Sequence, residues 1–144
     1  YLTIMGIETL ALRMEKHVAN AEVVANYLDN HEKVSWVSYA GLEESKYFHL
    51  ATKYLPRGAG SVFTFGIKGG YDAGVEFVEK CQLLSHLANI GDTRSLVLHP
   101  ASTTHRQLTE TQRISAGAGD DVIRLSIGLE TVEDIIADLA QALR

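Results

Sequence analysis

The sequence predicts an α+β domain, a two-layer sandwich in which helices, the first of them long, cover a mostly antiparallel sheet of about four strands. Three observations predict this class. Apolar residues recur at three- and four-residue spacing near the N-terminus, alternate with polar residues in two later segments, and return to helical spacing at the end. A chain of 144 residues with 46% hydrophobic and 22% charged residues can bury one core without disulfides or bound metal.

The first half of the chain contains four predicted elements. A long amphipathic helix is expected from about Ile7 to Leu28, because its apolar residues share one face. β-branched and aromatic residues favour a strand over 34–39, which Gly41 ends. A short helix is expected over 48–54. The alternation of aromatic and small or polar residues then predicts a strand over 61–68.

The next two predicted elements follow a pair of glycines. Asp72 is expected to cap a helix over 73–82. Two short apolar runs in 84–98, separated by Gly91, predict either a pair of short strands or one bent strand.

Two capping-box spacings predict the last two helices. Thr109 and Gln112 are three residues apart, which favours a short helix to about Ala116. Thr131 and Asp134 repeat the spacing before a final helix, whose apolar residues again share one face.

Arg124 is the most informative single residue of the sequence. The run from Ile123 to Glu130 alternates, so its apolar residues build core while Arg124 points the other way, outward or into a cleft. A guanidinium matches a carboxylate or phosphate through two parallel charge-assisted hydrogen bonds. Arg124 is therefore a candidate anion receptor, and the alternative is a surface arginine that pairs with Glu130 or a helix end.

Composition and charge narrow the classes of function. The net charge of −5, with basic residues scattered along the chain, argues against a nucleic-acid partner. The single cysteine, Cys81, cannot form an internal disulfide, which fits a reducing compartment such as the cytoplasm, and it is expected to be a buried or idle thiol. No apolar run reaches the roughly 18 residues of a membrane span. The chain enters helix-like sequence directly at Tyr1, so we expect it to be a piece of a longer polypeptide.

Other candidate sites have weak patterns. The polar segment 99–105, together with His86, offers imidazoles, but their spacing does not converge three or four ligands, and no metal site is expected. The glycine-containing segment 57–61 leads into a strand, whereas phosphate-binding loops lead into a helix. The chain also has no Gly-x-Ser-x-Gly elbow of the kind that serine hydrolases use.

Three sets of residues, taken in order, are similar to a known family. They are Gly6-Ile7-Glu8-Thr9-Leu10 with Arg13-Met14-Glu15, Ser95-Leu96 with His99-Pro100 and Thr104-His105, and Arg124-Leu125-Ser126-Ile127-Gly128-Leu129-Glu130. Together they resemble the C-terminal part of the Cys/Met-metabolism enzymes that use pyridoxal phosphate. The resemblance covers essentially the whole chain. Within the family it is greatest to the O-acetylhomoserine sulfhydrylases, on segments 85–92 and 95–105.

The resemblance implies roles for individual residues. Arg124 would bind the α-carboxylate of an amino-acid substrate. Asn89, at a position that is usually serine, would help to hold the same carboxylate through its side chain or a backbone amide. Thr104 would support the arginine or lie beside the cofactor lysine. Ala88 occupies a position where cystathionine-forming and cystathionine-cleaving relatives carry a glutamate, so a small co-substrate such as sulfide is expected.

The resemblance also implies what surrounds this domain. The complete enzyme would make homocysteine from O-acetylhomoserine and sulfide in methionine biosynthesis, in the cytoplasm, as a homo-oligomer. Its pyridoxal 5'-phosphate would be bound by a lysine in an upstream large domain, because none of the six lysines here matches that motif. The chain is therefore expected to have no catalytic, cofactor-binding or metal-binding residue of its own and to be inactive alone, with its large domain and further subunits as partners.

Two alternatives stay open from sequence. One is a cystathionine synthase, a cystathionine lyase or a methionine lyase of the same family. The other is a non-catalytic amino-acid-binding or assembly module, in which Arg124 captures a carboxylate for regulation. A metal hydrolase is a more distant alternative.

Overall fold

The structure, a computed structural model, describes residues 1–144 and confirms the predicted α+β sandwich. The helices are α1 (Leu2–Glu8), α2 (Leu10–Asp29), α3 (Phe48–Tyr54), α4 (Gly70–Lys80), α5 (Glu110–Ser115) and α6 (Val132–Ala142), with a 3-10 turn at Pro100–Ser102. The strands are β1 (Val34–Ser38), β2 (Val62–Ile67), β3 (Ser85–His86), β4 (Leu96–Leu98) and β5 (Val122–Ser126). None of the helices combines the length and hydropathy that a membrane crossing requires.

The sheet has the strand order β1-β2-β5-β4-β3 and is open. β5 lies in the middle and runs antiparallel to β2 and β4. Five strands form, where about four were predicted, because the two apolar runs of 84–98 are separate strands. They pair in parallel, so a connection over residues 87–95 must return the chain to the same end of the sheet before β4 begins.

The core lies between one face of the sheet and helices α2, α4 and α6. Phe65, Ile123 and Leu125 are fully buried on that face, which confirms the alternation predicted for β2 and β5. Leu28 and Leu139 are fully buried on the helices that cover it. Each such side chain contributes about 1.5–3 kcal/mol on burial, so this layer accounts for the bulk of the stabilisation.

The long N-terminal helix is interrupted at Thr9. The prediction of one helix from Ile7 is wrong in this detail, because Thr9 leaves helical geometry at ψ 7° between α1 and α2. The Arg13 guanidinium donates to the Gly6 carbonyl at 3.0 Å and to the Thr9 hydroxyl, which satisfies polar groups at the break. No residue of α1 is buried, so tertiary packing does not force the two helices to be continuous.

Two predicted caps differ in the structure. Helix α4 starts at Gly70, after Gly69 at φ +109°, so the glycines turn the chain before Asp72, which lies inside the first turn. Thr131 is the N-cap of α6, but its side chain makes no capping hydrogen bond. The Thr109 capping box is confirmed, since both of its reciprocal bonds with Gln112 are present.

Asp138 is a buried carboxylate that the apolar pattern of α6 did not predict. It accepts hydrogen bonds from the backbone N–H groups of Gln82, Leu83 and Leu84 at 2.8–3.1 Å, and from the Gln141 amide at 3.0 Å. Burial by itself raises the pKa of Asp138, but these four hydrogen bonds together outweigh it, and the net pKa lies below the ordinary 3.8. Asp138 thus attaches the segment that follows α4 to helix α6.

We expect Asp138→Asn to lower the free energy of unfolding by about 2 kcal/mol at neutral pH, because the amide nitrogen would face backbone donors. Since the pKa is lowered on folding, the carboxylate contributes fully above pH 3.8 and loses its contribution as the pH falls below that value. Urea unfolding between pH 3 and pH 7 should therefore show the variant and the wild type converging in acid. Asp134→Asn, at an exposed position of the same helix, serves as the control. A constant difference across this pH range would contradict the role assigned to Asp138.

Candidate anion-binding site

Arg124 lies at the centre of β5, on the face of the sheet opposite the core. Its neighbours across the sheet are Thr64 of β2 and Leu98 of β4. The arginine is half-buried, whereas the residues at 123 and 125 are completely buried on the other face. The predicted orientation, away from the apolar core, is confirmed by this alternation.

The guanidinium of Arg124 has no partner within the chain. The three ion pairs of the structure join Lys80 to Glu76, Arg94 to Asp92, and Arg113 to Asp120. Glu130, the partner that a surface arginine would have, binds Ser95 instead. A half-buried cation that forms no internal bond retains its full set of donors for an external anion.

The surface around Arg124 is partly covered. Val122 and Ser126 share the face of Arg124, yet both are buried, at 5% and 3% exposure. Leu96 and Leu98, which pair with Ser126 and Arg124 from β4, are buried as well, at 1% and 6% exposure. Arg124 is therefore a half-exposed residue next to buried ones, and an anion bound there would be less screened by water than on an open sheet.

Thr104 lies beyond the 3-10 turn, in a series of turns. Its side chain is exposed, and its hydroxyl is hydrogen bonded to Nδ1 of His105 at 2.8 Å. The structure shows no hydrogen bond between Thr104 and Arg124. The role predicted for Thr104 therefore stays a prediction.

Asn89 lies in the connection between β3 and β4, which we call the 87–95 loop. Its side chain is exposed and accepts from the Ile90 N–H at 2.9 Å. Within the same loop Arg94 forks onto both oxygens of Asp92. The hydrogen bonds from Arg94 lower the pKa of Asp92 to about 2. Arg94 is thus occupied inside the loop, and Asn89, which makes no bond to Arg124, keeps its role as a prediction.

Two of the histidines that were considered as metal ligands, His99 and His86, lie in different surroundings. His99 is fully buried, with Nδ1 on the Ser102 hydroxyl and Nε2 donating to the Asp120 carbonyl, both at 2.9 Å. Its ring lies where a side chain on Gly74 would be, which explains that glycine on α4. His86 is exposed on β3. No group of three or more histidine, cysteine or acidic side chains is arranged to hold a metal ion.

Cys81 has the surroundings of an unreactive thiol. Burial, together with the charge of Asp138, raises the pKa of Cys81 to about 12. Its sulfur lies 3.4 Å from the carbonyl of Phe77. At neutral pH the group is a thiol rather than a thiolate, so it is a poor nucleophile.

The sequence interpretation missed a set of hydrogen bonds that hold the chain after β5. Ser95 donates its backbone N–H to Glu130 Oε1 at 2.6 Å and its hydroxyl to Oε2 at 2.8 Å, and the Gly128 N–H donates to the same hydroxyl at 2.8 Å. The buried Asn20 of α2 donates to the carbonyls of Gly128 and Glu130. Ser95, Gly128 and Glu130 all lie in segments that carry the family resemblance, which was the available signal, but their pairing over 33 and 35 residues has no local pattern.

The six lysines of the chain are either exposed or already paired within the fold. Lys80 pairs with Glu76, Lys68 donates to the Glu32 carbonyl, and the other four lysines are exposed. None lies on β5 or on the strands that pair with it. The residues of this chain therefore do not fit as the covalent anchor of an aldehyde cofactor.

Comparison with known proteins gives one consistent result. A family model described as Cys/Met metabolism PLP-dependent enzyme matches residues 1–144. The chain is 53% identical over 143 residues to homocysteine synthase of Schizosaccharomyces pombe, covering 99% of this chain and 33% of that protein. It is 47% identical to O-acetyl-L-homoserine sulfhydrylase 1 of Thermus thermophilus, again over 99% of this chain and 34% of the relative.

A solved structure agrees with these relatives. The chain superimposes with a TM-score of 0.90 and 46% sequence identity on a putative O-acetylhomoserine (thiol)-lyase from Campylobacter jejuni, which contains N'-pyridoxyl-lysine-5'-monophosphate. The match covers 96% of this chain and 33% of that one. The chain thus spans about a third of the length of the relatives that it matches.

Proposed function

Because the chain belongs to the Cys/Met metabolism PLP-dependent enzymes, we propose that it is the C-terminal domain of an O-acetylhomoserine sulfhydrylase and that Arg124 binds the α-carboxylate of the substrate. The complete enzyme would form homocysteine from O-acetylhomoserine and sulfide. The similarity to the homocysteine synthase of S. pombe and the O-acetyl-L-homoserine sulfhydrylase 1 of T. thermophilus supports this choice of reaction.

A single observation carries the role of Arg124. It is a half-buried arginine on the sheet face opposite the core, and no carboxylate, carbonyl or hydroxyl of the chain pairs with it. Holding an unpaired cation at the edge of covered surface costs solvation free energy, which an incoming carboxylate offsets. A bidentate pair also fixes the plane of that carboxylate, and with it the direction of the neighbouring Cα–H bond.

The contribution of this domain to the reaction is binding and orientation. Pyridoxal phosphate supplies an electron sink when it is bound by enzymes of this family, and none of the lysines of this chain fits as its anchor. Arg124 would hold the substrate so that its reacting bond is presented to chemistry carried out by the remainder of the enzyme. Asn89 and Thr104 are proposed as neighbours of that carboxylate, on the family resemblance.

The proposed co-substrate, sulfide, is supported by Ala88. This residue is exposed in the 87–95 loop, next to Asn89. An alanine offers no charge that would pair with the distal amino group of a larger thiol substrate. Sulfide has no distal group that the enzyme would have to bind, so an alanine at this position is compatible with it.

The proposal is tested by removing the charge from the substrate. In the complete enzyme, the carboxamide analogue of O-acetylhomoserine should react with sulfide with a kcat/KM at least about 100-fold below that of the natural carboxylate, because a charge-assisted bidentate contact is lost. Steady-state homocysteine formation measures both substrates. Equal kcat/KM values for the two would rule out a carboxylate receptor. An absence of homocysteine formation, with turnover of cystathionine or methionine instead, would contradict the sulfhydrylase assignment.

A further inference from the structure

We propose that Glu130 is a positioning residue whose carboxylate holds the 87–95 loop, and with it Asn89, in fixed register with Arg124. The inference rests on the proposed function of Arg124. It goes beyond that function because it identifies what joins the segment that carries Arg124 to the loop that carries Asn89.

Ser95 is the last residue of the 87–95 loop, and we call this end the base of the loop. Its carbonyl accepts the Ser85 N–H at 3.0 Å, which continues the parallel pairing of β3 with β4. Its own N–H and hydroxyl both donate to the Glu130 carboxylate, at 2.6 and 2.8 Å. A second bond, from the Leu129 N–H to the Thr93 carbonyl at 2.9 Å, runs alongside. Glu130 therefore holds the base of the loop through charge-assisted hydrogen bonds, which are stronger than bonds between neutral groups.

Glu130 is also rigidly connected to the strand that carries the arginine. Residues 127–130 continue β5 without a break in the chain, and α2 pins them from the core side. The buried His17 donates Nδ1–H to the Ile127 carbonyl, and the buried Asn20 donates to the carbonyls of Gly128 and Glu130. Arg124 and Glu130 thus belong to one continuous segment whose position is fixed by α2.

The remainder of the loop has few other restraints. β3 is only two residues long, and Leu87 and Ile90 are 44% and 72% exposed. The hydrogen bonds of Asp92 with Arg94 stay inside the loop and do not connect it to β5. The position of the loop relative to Arg124 therefore depends mainly on its base, where Glu130 acts.

A glutamine at position 130 changes this clamp without changing its size. The carboxylate accepts from two donors of Ser95, whereas an amide offers one acceptor oxygen and an NH2 group that must itself donate. The base of the loop then loses a bond or shifts. The expected consequence is weaker alignment of the amino-acid substrate, while sulfide, which has no carboxylate, is unaffected.

The test measures kcat and both KM values in the complete enzyme for Glu130→Gln, Ser95→Ala and the double variant. We expect KM for O-acetylhomoserine to rise by about 10-fold in each single variant, with kcat and the KM for sulfide within about 3-fold of wild type. The double variant should be no worse than the poorer single variant, because both remove the same network. Glu133→Gln, an exposed glutamate in the first turn of α6, is the matched control and should leave all three constants unchanged.

The outcomes separate this inference from the function on which it rests. An unchanged KM for O-acetylhomoserine in both single variants overturns the role of Glu130, even if Arg124→Ala is impaired. A fall in kcat at constant KM overturns it as well. If Arg124→Ala retains normal kinetics, the proposed carboxylate receptor fails, whatever the Glu130 variants show. Should Glu130→Gln fail to fold, Ser95→Ala, which removes only a hydroxyl, decides the outcome by the same criteria.

Discussion

Arg124→Ala in the complete enzyme is expected to lower kcat/KM for O-acetylhomoserine by at least about 100-fold. The reason is the lost bidentate contact, which provides affinity and orientation together. Arg124→Lys should recover only part of the loss, since an ammonium keeps the charge but lacks the planar fork. Steady-state kinetics with sulfide at saturation measure both variants.

The same substitution should remove the enzyme's preference for a carboxylate. Wild type is expected to discriminate strongly against the carboxamide analogue, and Arg124→Ala should react with the two substrates at similar kcat/KM. This comparison isolates the pair between arginine and carboxylate from any general damage to the site. A variant that is impaired yet still discriminates would assign the carboxylate to another residue.

Stability provides the control for Arg124→Ala. The guanidinium makes no ion pair in the fold, so its removal should not lower the midpoint of thermal unfolding. Arg57→Ala, at an exposed arginine outside β5, should leave both stability and kinetics near wild type. Kinetics within about 3-fold of wild type for Arg124→Ala would contradict the receptor assignment.

Gly128→Ala is expected to destabilise the fold by about 3 kcal/mol, the second large effect. A Cβ at this position would lie 2.5 Å from the backbone carbon of Arg94 and 2.5 Å from the backbone nitrogen of Ser95, and would also contact Glu130 Oε2. A shift of either the Glu130 carboxylate or the backbone at 94–95 would break the hydrogen bonds between Ser95 and Glu130. Chemical denaturation followed by the fluorescence of the single tryptophan, Trp36, reports the change.

Gly6→Ala is the matched control for Gly128→Ala. Gly6 lies in α1, and a Cβ there would meet nothing within 4 Å. Alanine is the better helix former by about 1 kcal/mol, so this variant should be as stable as wild type or more stable. If both glycine variants unfold at the same denaturant concentration, the close approach of backbone at Gly128 does not limit stability.

The features determined by the sequence alone are those that depend on neighbours along the chain. Alternation placed Phe65 and Leu125 on the core face and Arg124 on the other, because successive side chains of a strand point to opposite faces. The Thr109 capping box formed as its three-residue spacing predicts. The ordered motifs also indicated the family, which the match over residues 1–144 confirms.

Tertiary structure decided what depends on partners distant in sequence. Three features join residues that are 11 to 56 positions apart. They are the parallel pairing of β3 with β4, the hydrogen bonds of Asp138 with the turn after α4, and those of Glu130 with Ser95. No local period encodes such pairs, because each bond forms only after the sheet and its covering helices bring the two groups together. For the same reason the sequence could orient Arg124 but could not show that it is unpaired. Glu130, the partner that the sequence left open for it, is bound to the loop.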